Sequence, residues 1–499
     1  MQKLSTLAVA AAMMATQAGA ETVRLTFLGV GDVYNFEEED GRGGFARLNA
    51  VAKAERAANP NTLYLFNGDM LSPSLASGFD KGQNTIDFTN LVPFDLAVPG
   101  NHEFDFGPDN FFEKMKASKY PWAAINITNA DGSPIAGLGG AMMKEVAGLK
   151  IALIPVAQDT SPEVSSTGSL KFLPTVDGGI DAAEKAREEG ADLVVGVVQT
   201  NMENDRALMA SGAFDVILSG DDHSYATAYD GRTAYVETSI DGQFLSPVDL
   251  TVEIEVKDDG TRTISWVPAF RFIDTAGVTP DPESVAMADK LRATMDENLN
   301  VEIGTVEAPL DSRRNVVRSE ESTMGNLIAD AMRAATGADI AIMNGGGIRG
   351  DTTYDAGRKL TRRDILTELP FGNTTVVTEL PGSQILLALE NGVSQVEKGS
   401  GRFAQVSGLT FAFDASAPAG SRVSAVMVGG AALEADKLYK VAVNDYILGG
   451  GDGYDALGGG RIITDGPTGQ LVANDVMAHV EKLGSVNVTV EGRITKLGQ

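Results

Sequence analysis

The sequence has 499 residues, of which 43% are hydrophobic, and this length is too great for one ordinary core, so two soluble globular domains are the natural expectation. Its formal net charge of −28 argues against nucleic acid as a partner, because neutralising phosphates requires a basic surface. The absence of cysteine excludes disulfides, thiolate nucleophiles and cysteine-based zinc sites.

The first twenty residues are typical of a signal peptide. Lys3 supplies a basic start, residues 4–14 an apolar stretch, and Ala18-Gly19-Ala20 a cleavage site of small residues. A membrane anchor is the alternative, but a spanning helix needs about 20 apolar residues, and neither this stretch nor any later one is long enough. We therefore expect residues 1–20 to be removed from a secreted or periplasmic protein without a membrane anchor.

Short apolar runs that end at polar residues alternate with helical patterns in the next part of the chain. The predicted strands are 23–30, 63–66, 96–99, 193–198 and 216–218, and the predicted helices are 45–58, 109–117, 180–189 and 205–210. This alternation is typical of an α/β domain, which we assign to residues 21–278. In such sheets the carboxyl ends of the strands carry the chemistry, so the polar residues after these strands should form one site.

Residues 279–300 are the predicted interdomain linker. Thr279-Pro280 introduces a helical pattern over residues 281–298, for which we expect few packing partners nearby. From residue 301 the alternation restarts, with predicted helices 321–336, 362–369, 383–398 and 470–482 and strands such as 340–343 and 409–413. We assign residues 301–499 to a second α/β (α+β) domain.

The polar residues after the strands of the first domain are types that hold metal ions in phosphoesterases. Two metal ions about 3.5–4 Å apart activate water and neutralise the phosphoryl oxygens during ester hydrolysis. The candidate ligands follow the strands in the order Asp32, Asp69, Asn101, His102, Asp221 and His223. Each Gly-Asp pair alone is also typical of an ordinary turn. Two of the three histidines nevertheless fall in these segments, and the third, His479, is interpreted as structural.

The string GNHEFDFG at residues 100–107, with GD pairs at 31–32 and 68–69 and GRGGFARL at 41–48, resembles the metallophosphoesterase half of the 5′-nucleotidases. The resemblance implies a four-layer αββα sandwich in which Asp69 bridges two metal ions and Asn101 binds the second. It also implies that His102, oriented by Asp105, faces the leaving group. That pairing makes independent physical sense, because a carboxylate fixes the imidazole tautomer and favours the charged ring.

The metal ligands implied by this resemblance are altered in the chain. Tyr34 and Thr200 stand where the family has histidines, and Asp221 replaces the first histidine of the final motif. The remaining candidate metal ligands are Asp32, Asp69, Asn101, Asp221 and His223, with Tyr34 and Thr200 as weaker candidates. Because this set is rich in oxygen, we expect one or two divalent ions such as manganese, magnesium or calcium rather than zinc. A centre that has lost its metal is the alternative.

The run NGGGIRG at residues 344–350 is neither a P-loop nor a dinucleotide fingerprint, since it lacks the lysine of the first and the spacing of the second. Its glycines let N–H groups converge on an anion, to which Arg349 adds a guanidinium. Together with four other segments, this run resembles the C-terminal domain of the 5′-nucleotidases. The four segments are RSEESTMGNLIADAM (318–332), LPFGN (369–373), GRFAQVSGL (401–409) and NDYILGGGDGY (444–454). The resemblance implies a nucleotide-binding domain with Arg318, Asn344 and Arg349 on the ribose and phosphate, Phe371 and Tyr446 stacking the base, and Asp452 on the ribose hydroxyls.

Three functions are compatible with the sequence. We favour a metal-dependent phosphoesterase that hydrolyses an extracellular nucleotide to nucleoside and phosphate. The resemblance to the 5′-nucleotidases also implies that the second domain moves about the linker helix to deliver the substrate. The alternatives are a catalytically impaired nucleotide-binding protein and a related phosphoesterase that acts on cyclic nucleotides or nucleotide sugars. The sequence leaves open the base preference and whether the chain is a monomer or a homodimer.

Overall fold

The computed structural model describes residues 20–257, 261–464 and 470–498. The predicted signal peptide, residues 1–20, lies outside this part of the chain except for its last residue. A search of the described helices finds none with the length and apolar character needed to span a bilayer.

The first domain alternates strands and helices, as predicted. Its strands are β1 Ala20–Val30, β2 Thr62–Phe66, β3 Leu96–Ala97, β4 Ile127–Thr128, β5 Met142–Val146, β6 Leu149–Val156, β7 Lys171–Phe172, β8 Leu193–Gln199, β9 Val216–Gly220, β10 Ala226–Tyr229, β11 Ala234–Glu237, β12 Phe244–Leu245, β13 Val248–Val256, β14 Arg262–Phe270 and β15 Ile273–Asp274. Its helices are α1 Gly44–Ala58, α2 Leu75–Asp80, α3 Gln83–Thr89, α4 Gly107–Ala117, α5 Ser161–Val164, α6 Thr175–Glu188 and α7 Met202–Ser211.

Two sheets of the first domain pack face to face between helices. One has the strand order β14-β13-β1-β2-β3 and the other β10-β11-β9-β8-β6-β5. Leu25 and Phe27 of β1 meet Leu153 of β6 and Val195 of β8 in the core between the sheets. Helices α1 and α3 cover the outer face of the first sheet, and α6 and α7 cover that of the second. This is the αββα sandwich expected from the sequence.

The helix α8 Pro282–Leu299 follows the first domain and packs onto it. Ala288, Met295 and Leu299 are buried in the core that α1 also lines, and Asn49 of α1 donates to Ser284 Oγ at 3.0 Å. The expectation of few packing partners for this helix is therefore wrong. Its buried residues are seven and four positions apart, so they share one face of the helix and draw it onto α1.

The second domain has its own sheets and cores. Its strands are β16 Glu302–Val306, β17 Leu310–Asp311, β18 Ile340–Asn344, β19 Thr353–Tyr354, β20 Lys359–Thr361, β21 Thr375–Pro381, β22 Ala404–Ser407, β23 Leu409–Asp414, β24 Val423–Val428, β25 Ala431–Ala432, β26 Leu438–Asn444, β27 Arg461–Thr464, β28 Ser485–Val486 and β29 Ile494–Leu497. Its helices are α9 Arg314–Val317, α10 Thr323–Thr336, α11 Arg362–Glu368, α12 Gly382–Val393, α13 Asp445–Leu448 and α14 Val472–Leu483.

The sheet that positions the functional loops of the second domain has the order β22-β18-β26-β21-β27. Helices α10 and α14 pack on one face of it and α12 on the other. Strands β18 and β26 are parallel neighbours, so the loop after Asn344 and the helix α13 after Asn444 leave the same edge of the sheet. That edge faces the first domain, where Phe371 lies beside His102.

Candidate active site

Four site residues predicted from the sequence have an uncommon backbone conformation at the ends of strands. The φ angles of Asp32, Asp69, Asp221 and His223 are 55°, 67°, 98° and 58°. A left-handed backbone is costly for residues other than glycine and persists where the surrounding contacts impose it, commonly at functional sites. Hydrogen bonds between loops supply such contacts, since Asp32 N–H donates to Gly68 O at 2.9 Å and Asp221 N–H donates to Asp32 Oδ2 at 3.1 Å.

Glu103 joins two of these loops from inside the protein. Its side chain is fully buried. Its Oε2 accepts the backbone N–H of Asp69 at 2.8 Å and of Gly100 at 2.6 Å, and its Oε1 accepts those of Met70 at 2.7 Å and Leu71 at 3.3 Å. Glu103 therefore fixes the backbone that carries Asp69.

His102 and Asp105 form the pair that the sequence predicts. His102 Nδ1 lies 2.6 Å from Asp105 Oδ2, and Ser165 Oγ donates to Asp105 Oδ1 at 2.7 Å. Burial by itself would lower the pKa of His102, but the charges of Asp105 and Asp69 and the hydrogen bond to Asp105 outweigh it and raise this pKa to about 9. Because Nδ1 is engaged by Asp105, Nε2 is the ring atom left for a ligand.

The buried carboxylates Asp32 and Asp69 are joined by the side chain of Gln199, the last residue of β8. Gln199 Nε2 donates to Asp69 Oδ2 at 2.7 Å and to Asp32 Oδ1 at 3.3 Å. The Tyr34 hydroxyl lies 3.5 Å from Asp32 Oδ1 and 2.9 Å from His223 Nε2. The structure thus brings Asp32, Asp69, Tyr34 and His223 together at the carboxyl edge of both sheets.

Asn101, Thr200 and Asp221 border this cluster. Asn101 directly precedes His102, whose backbone N–H donates to Asp69 Oδ1 at 2.8 Å. Thr200 is fully buried, and its Oγ1 has no hydrogen-bond partner among the described residues. Burial, together with the charge of Asp222, raises the pKa of Asp221 to about 6.

A cavity of about 250 Å³ lies between the two domains and is lined by both sets of predicted residues. The first domain contributes Asn101, His102 and Asp105, and the second contributes Arg318, Asn344, Arg349, Phe371, Tyr446 and Asp452. The rings of His102 and Phe371 are 6.4 Å apart and nearly parallel, with an interplanar angle of 6°. The predicted catalytic and substrate-binding residues therefore share one space.

Two arginines in this cavity have no carboxylate partner in the described part of the chain. Arg349 holds its guanidinium 5.3 Å from the centre of the Phe371 ring. Arg318 is 8% exposed, its Nε has no hydrogen-bond partner there, and its Nη1 reaches Gly399 O only at 3.5 Å. Burial and the charges of Arg314 and Arg349 lower the pKa of Arg318 to about 10. In a chain of net charge −28, such unpaired cations are suited to an anionic ligand.

The rest of the cavity wall is held by side-chain hydrogen bonds. Asn444 Nδ2 donates to Asn344 Oδ1 at 2.8 Å, and Asn344 Nδ2 donates to Asp452 Oδ2 at 2.7 Å. The backbone N–H of Asp452 donates to the Tyr446 hydroxyl at 3.1 Å, which holds the end of the Tyr446 side chain. Asp452 itself has a left-handed φ of 54°. The wall is thus preorganised in the absence of a ligand.

Comparison with known families agrees with this geometry. The profile of the calcineurin-like phosphoesterases matches residues 25–225, and that of the 5′-nucleotidase C-terminal domain matches residues 302–459. The chain therefore contains a calcineurin-like phosphoesterase domain followed by a 5′-nucleotidase C-terminal domain.

Relatives support the same assignment over the whole chain. It is 27% identical to the trifunctional nucleotide phosphoesterase protein YfkN of Bacillus subtilis (strain 168), over 90% of this chain and 34% of that protein. It is 25% identical to the 5′-nucleotidase of Homo sapiens, over 91% and 85% of the two chains. A solved 5′-nucleotidase precursor from Thermus thermophilus is 28% identical with a TM-score of 0.70, over 96% and 100% of the two chains. The chain thus spans about a third of the Bacillus protein and most of the other two.

These comparisons confirm the predicted fold and the prediction of a phosphoric ester hydrolase of the 5′-nucleotidase type. They favour hydrolysis over nucleotide binding without turnover. The calcineurin-like family also implies divalent metal ions, whereas the choice of manganese, magnesium or calcium stays a prediction. The individual roles of the site residues stay predictions as well.

The arrangement of donor atoms seen here does not fit two metal ions. The oxygens of Asp32 and Asp69 that would bind a shared cation instead accept hydrogens from Gln199, and the Tyr34 hydroxyl engages His223 Nε2. In the part of the chain that the structure describes, no three His, Asp or Glu side chains form a group that could hold an ion. The chemistry proposed below therefore uses only the side chains of this chain.

Three functional residues are not predicted from the sequence. Gln199 directly follows the predicted strand 193–198 but is given no role there. Glu103 is part of the string GNHEFDFG without a role of its own, and Ser165 belongs to no motif. For Glu103 a signal exists, since a carboxylate three residues after a glycine at a strand end is placed to accept backbone N–H groups. Ser165 is 60 residues from Asp105, and no local pattern links the two.

Proposed function

We propose that this chain hydrolyses the phosphate ester of a nucleotide held between its two domains and releases nucleoside and phosphate. One observation carries the proposal: the cavity between the domains is lined on one side by the His102–Asp105 pair and on the other by the unpaired Arg318 and Arg349 with the aromatic ring of Phe371. A ligand with an anionic group and a flat base matches both sides.

The side chains that line the cavity have different roles in this proposal: some bind the phosphate, some bind the base, and His102 donates a proton. The guanidiniums of Arg318 and Arg349 bind the phosphoryl oxygens, which would otherwise lack a cation in this acidic protein. Phe371 and Tyr446 bind the base by stacking, worth about 1–3 kcal/mol for each base. Water attacks phosphorus, the bond from phosphorus to the ester oxygen breaks, and His102 supplies through Nε2 the proton that the leaving oxygen takes up.

Asp105 and Ser165 position His102 for this step. Asp105 holds Nδ1, which leaves Nε2 turned to the ligand, and Ser165 holds the other oxygen of Asp105. A fixed ring of this kind avoids the loss of rate that follows when a proton donor is misplaced by a fraction of an ångström.

The domain boundaries and the export of the chain form part of the same proposal. The two family matches lie inside the proposed domains 21–278 and 301–499, on either side of the linker 279–300. Export is supported by the pattern of residues 1–20 and by a relative described as a cell wall protein of Listeria monocytogenes, 26% identical over 90% of this chain and 66% of that protein.

The test is phosphate release from AMP in the presence of manganese, magnesium, calcium, cobalt or zinc ions in turn. His102→Ala should lose activity by roughly 100-fold or more while it still binds AMP in a calorimetric titration. His479→Ala, which changes the half-buried histidine of α14, is the matched control and should keep full activity. AMP binding by the wild-type chain without turnover under any of these ions would instead identify a nucleotide-binding protein.

A further inference from the structure

Gln199 occupies the space between two buried carboxylates at the centre of the first domain. An amide nitrogen carries two hydrogens, and those of Gln199 are directed to Asp69 Oδ2 at 2.7 Å and Asp32 Oδ1 at 3.3 Å. Asp32 and Asp69 are 0% and 2% exposed, so water does not offer them comparable donors. The uncharged amide of Gln199 therefore stabilises these two oxygens by donating hydrogens to them, which is part of the stabilisation that a cation would supply.

The surroundings of Gln199 fit its side chain closely. A Cβ atom built on Gly68 would lie 2.8 Å from Gln199 Cδ, and one built on Gly220 would lie 2.5 Å from Gln199 Oε1. Any larger residue at either glycine would displace the amide. Gln199 is itself fully buried, and its Oε1 has no hydrogen-bond partner among the described residues. One polar atom of the amide is thus left unsatisfied while the other bridges two carboxylates.

A divalent cation and this amide cannot share the site as it stands. Divalent cations bind carboxylate oxygens at about 2.0–2.6 Å, and a cation between Asp32 and Asp69 would take both the lone pairs and the space that Gln199 Nε2 uses. For a cation to enter, the amide has to leave both carboxylates. Its release breaks two hydrogen bonds to charged groups, and even one of these corresponds to roughly a tenfold change in an equilibrium constant.

We propose that Gln199 competes with divalent cations for the Asp32–Asp69 pair and so weakens cation binding by this chain. The proposal concerns the cation alone and does not rest on the nucleotide substrate assigned above. It accounts for the donor geometry that does not fit two metal ions, and it makes Gln199 the residue that sets the concentration of cation at which the site fills.

The test is titration of the full-length protein with Mn²⁺ alone, without nucleotide, followed by calorimetry and by the electron paramagnetic resonance signal of free Mn²⁺. Gln199→Ser removes the bridging amide and should bind Mn²⁺ at least roughly tenfold more tightly than the wild type. In the double variant Gln199→Ser, Asp69→Asn, this gain should disappear, which places the ion between the two carboxylates. Thr233→Val is the matched control, because it alters a fully buried side chain beside β11 of the same sheet, bonded to Phe214 O, and leaves the amide in place.

Three results would overturn the proposal. Unchanged affinity in Gln199→Ser would show that the amide does not compete, and weaker affinity would show that Gln199 is a ligand. Two tightly bound Mn²⁺ ions in each wild-type chain would show that the amide presents no obstacle. Should Gln199→Ser fail to fold, Gln199→Asn keeps an amide that is too short to bridge both carboxylates, and the same titration and criteria apply to it.

Discussion

Replacing Arg318 by methionine should weaken nucleotide binding and stabilise the fold at the same time. Methionine keeps an apolar stem of similar length but removes the guanidinium. In the unliganded protein that group has no ion-pair partner among the described residues, and it lies near the like charges of Arg314 and Arg349. If Arg318 instead stabilised the fold, its replacement by methionine would lower the free energy of unfolding.

The expected gain in stability follows from the pKa of Arg318. Burial and the neighbouring arginines lower this pKa to about 10, which corresponds to about 3 kcal/mol by which folding disfavours the charged side chain. Solvent in the open cavity reduces the penalty, and the lost guanidinium packing offsets part of it. We expect a net increase of about 1–2 kcal/mol in the free energy of unfolding, or about 2–8 °C in Tm for a domain of this size.

The expected loss of affinity follows from the ligand contact. A hydrogen bond to a charged group contributes about 1.5–3 kcal/mol, so the Kd for AMP should rise by roughly 10- to 150-fold. Calorimetric titration measures the Kd, and differential scanning calorimetry without ligand measures Tm.

Arg493→Met is the matched control for Arg318→Met. Arg493 is 9% exposed and makes a bidentate ion pair with Asp330, with N–O distances of 2.8 and 2.9 Å. Its removal leaves a carboxylate unpaired, so it should lower Tm and leave AMP affinity unchanged. A loss of stability in Arg318→Met with unchanged affinity would refute the assignment of Arg318 to the ligand.

Three further changes test the framework of the site. Glu103→Ala leaves four backbone N–H groups without an acceptor and should lower the free energy of unfolding by at least about 4 kcal/mol in urea; a loss below about 1 kcal/mol would contradict this. Ser165→Ala should lower kcat on AMP roughly 3- to 10-fold with little change in KM, because Asp105 loses a positioning contact and no ligand contact is removed; an effect on KM alone would argue against it. Burial raises the pKa of Glu368 to about 7, so the folded chain holds this proton more tightly than the unfolded chain. The free energy of unfolding should therefore fall by up to about 3 kcal/mol as the pH rises from about 4.5 to about 7, and Glu368→Gln should remove this component of the pH dependence in urea titrations.

The strands and helices of the first domain were predictable because their patterns are local. The run of β8 is apolar at every position but its last, and all of its residues are buried, so a central strand is the natural interpretation.

In the second domain, the helix predicted at 383–398 is less accurate, since α12 ends at Val393 and a separate turn covers Val396–Lys398. Boundaries of this kind depend on tertiary contacts, such as that of Gly392, where an added Cβ would lie 2.9 Å from the Tyr454 hydroxyl.

The bridge made by Gln199 could not be predicted in the same way. The sequence places Gln199 directly after the predicted strand 193–198, and in the structure it is the last residue of β8. That its amide reaches Asp69 and Asp32 depends on how the sheet of β8 packs against the sheet of β1 and β2, which brings together residues 130 and 167 positions apart. No periodicity within either segment specifies that register. The sequence therefore shows that a glutamine follows the strand, but it does not show which residues the amide of Gln199 contacts.

The loops that carry Asp32 and Asp69 are held in place by contacts that do not involve Gln199. Backbone in the left-handed region costs on the order of 1–3 kcal/mol for each non-glycine residue, and Asp32, Asp69, Asp221 and His223 all adopt it. At Asp32 and Asp69, Glu103 and the backbone bonds between the loops offset this cost without using a carboxylate oxygen of either residue. The N–H of Asp221 donates to Asp32 Oδ2, a contact that does not involve Gln199. A change at Gln199 should therefore alter the occupant of the site and leave the loops where they are, so that a change in Mn²⁺ affinity reports the chemistry of the site rather than its folding.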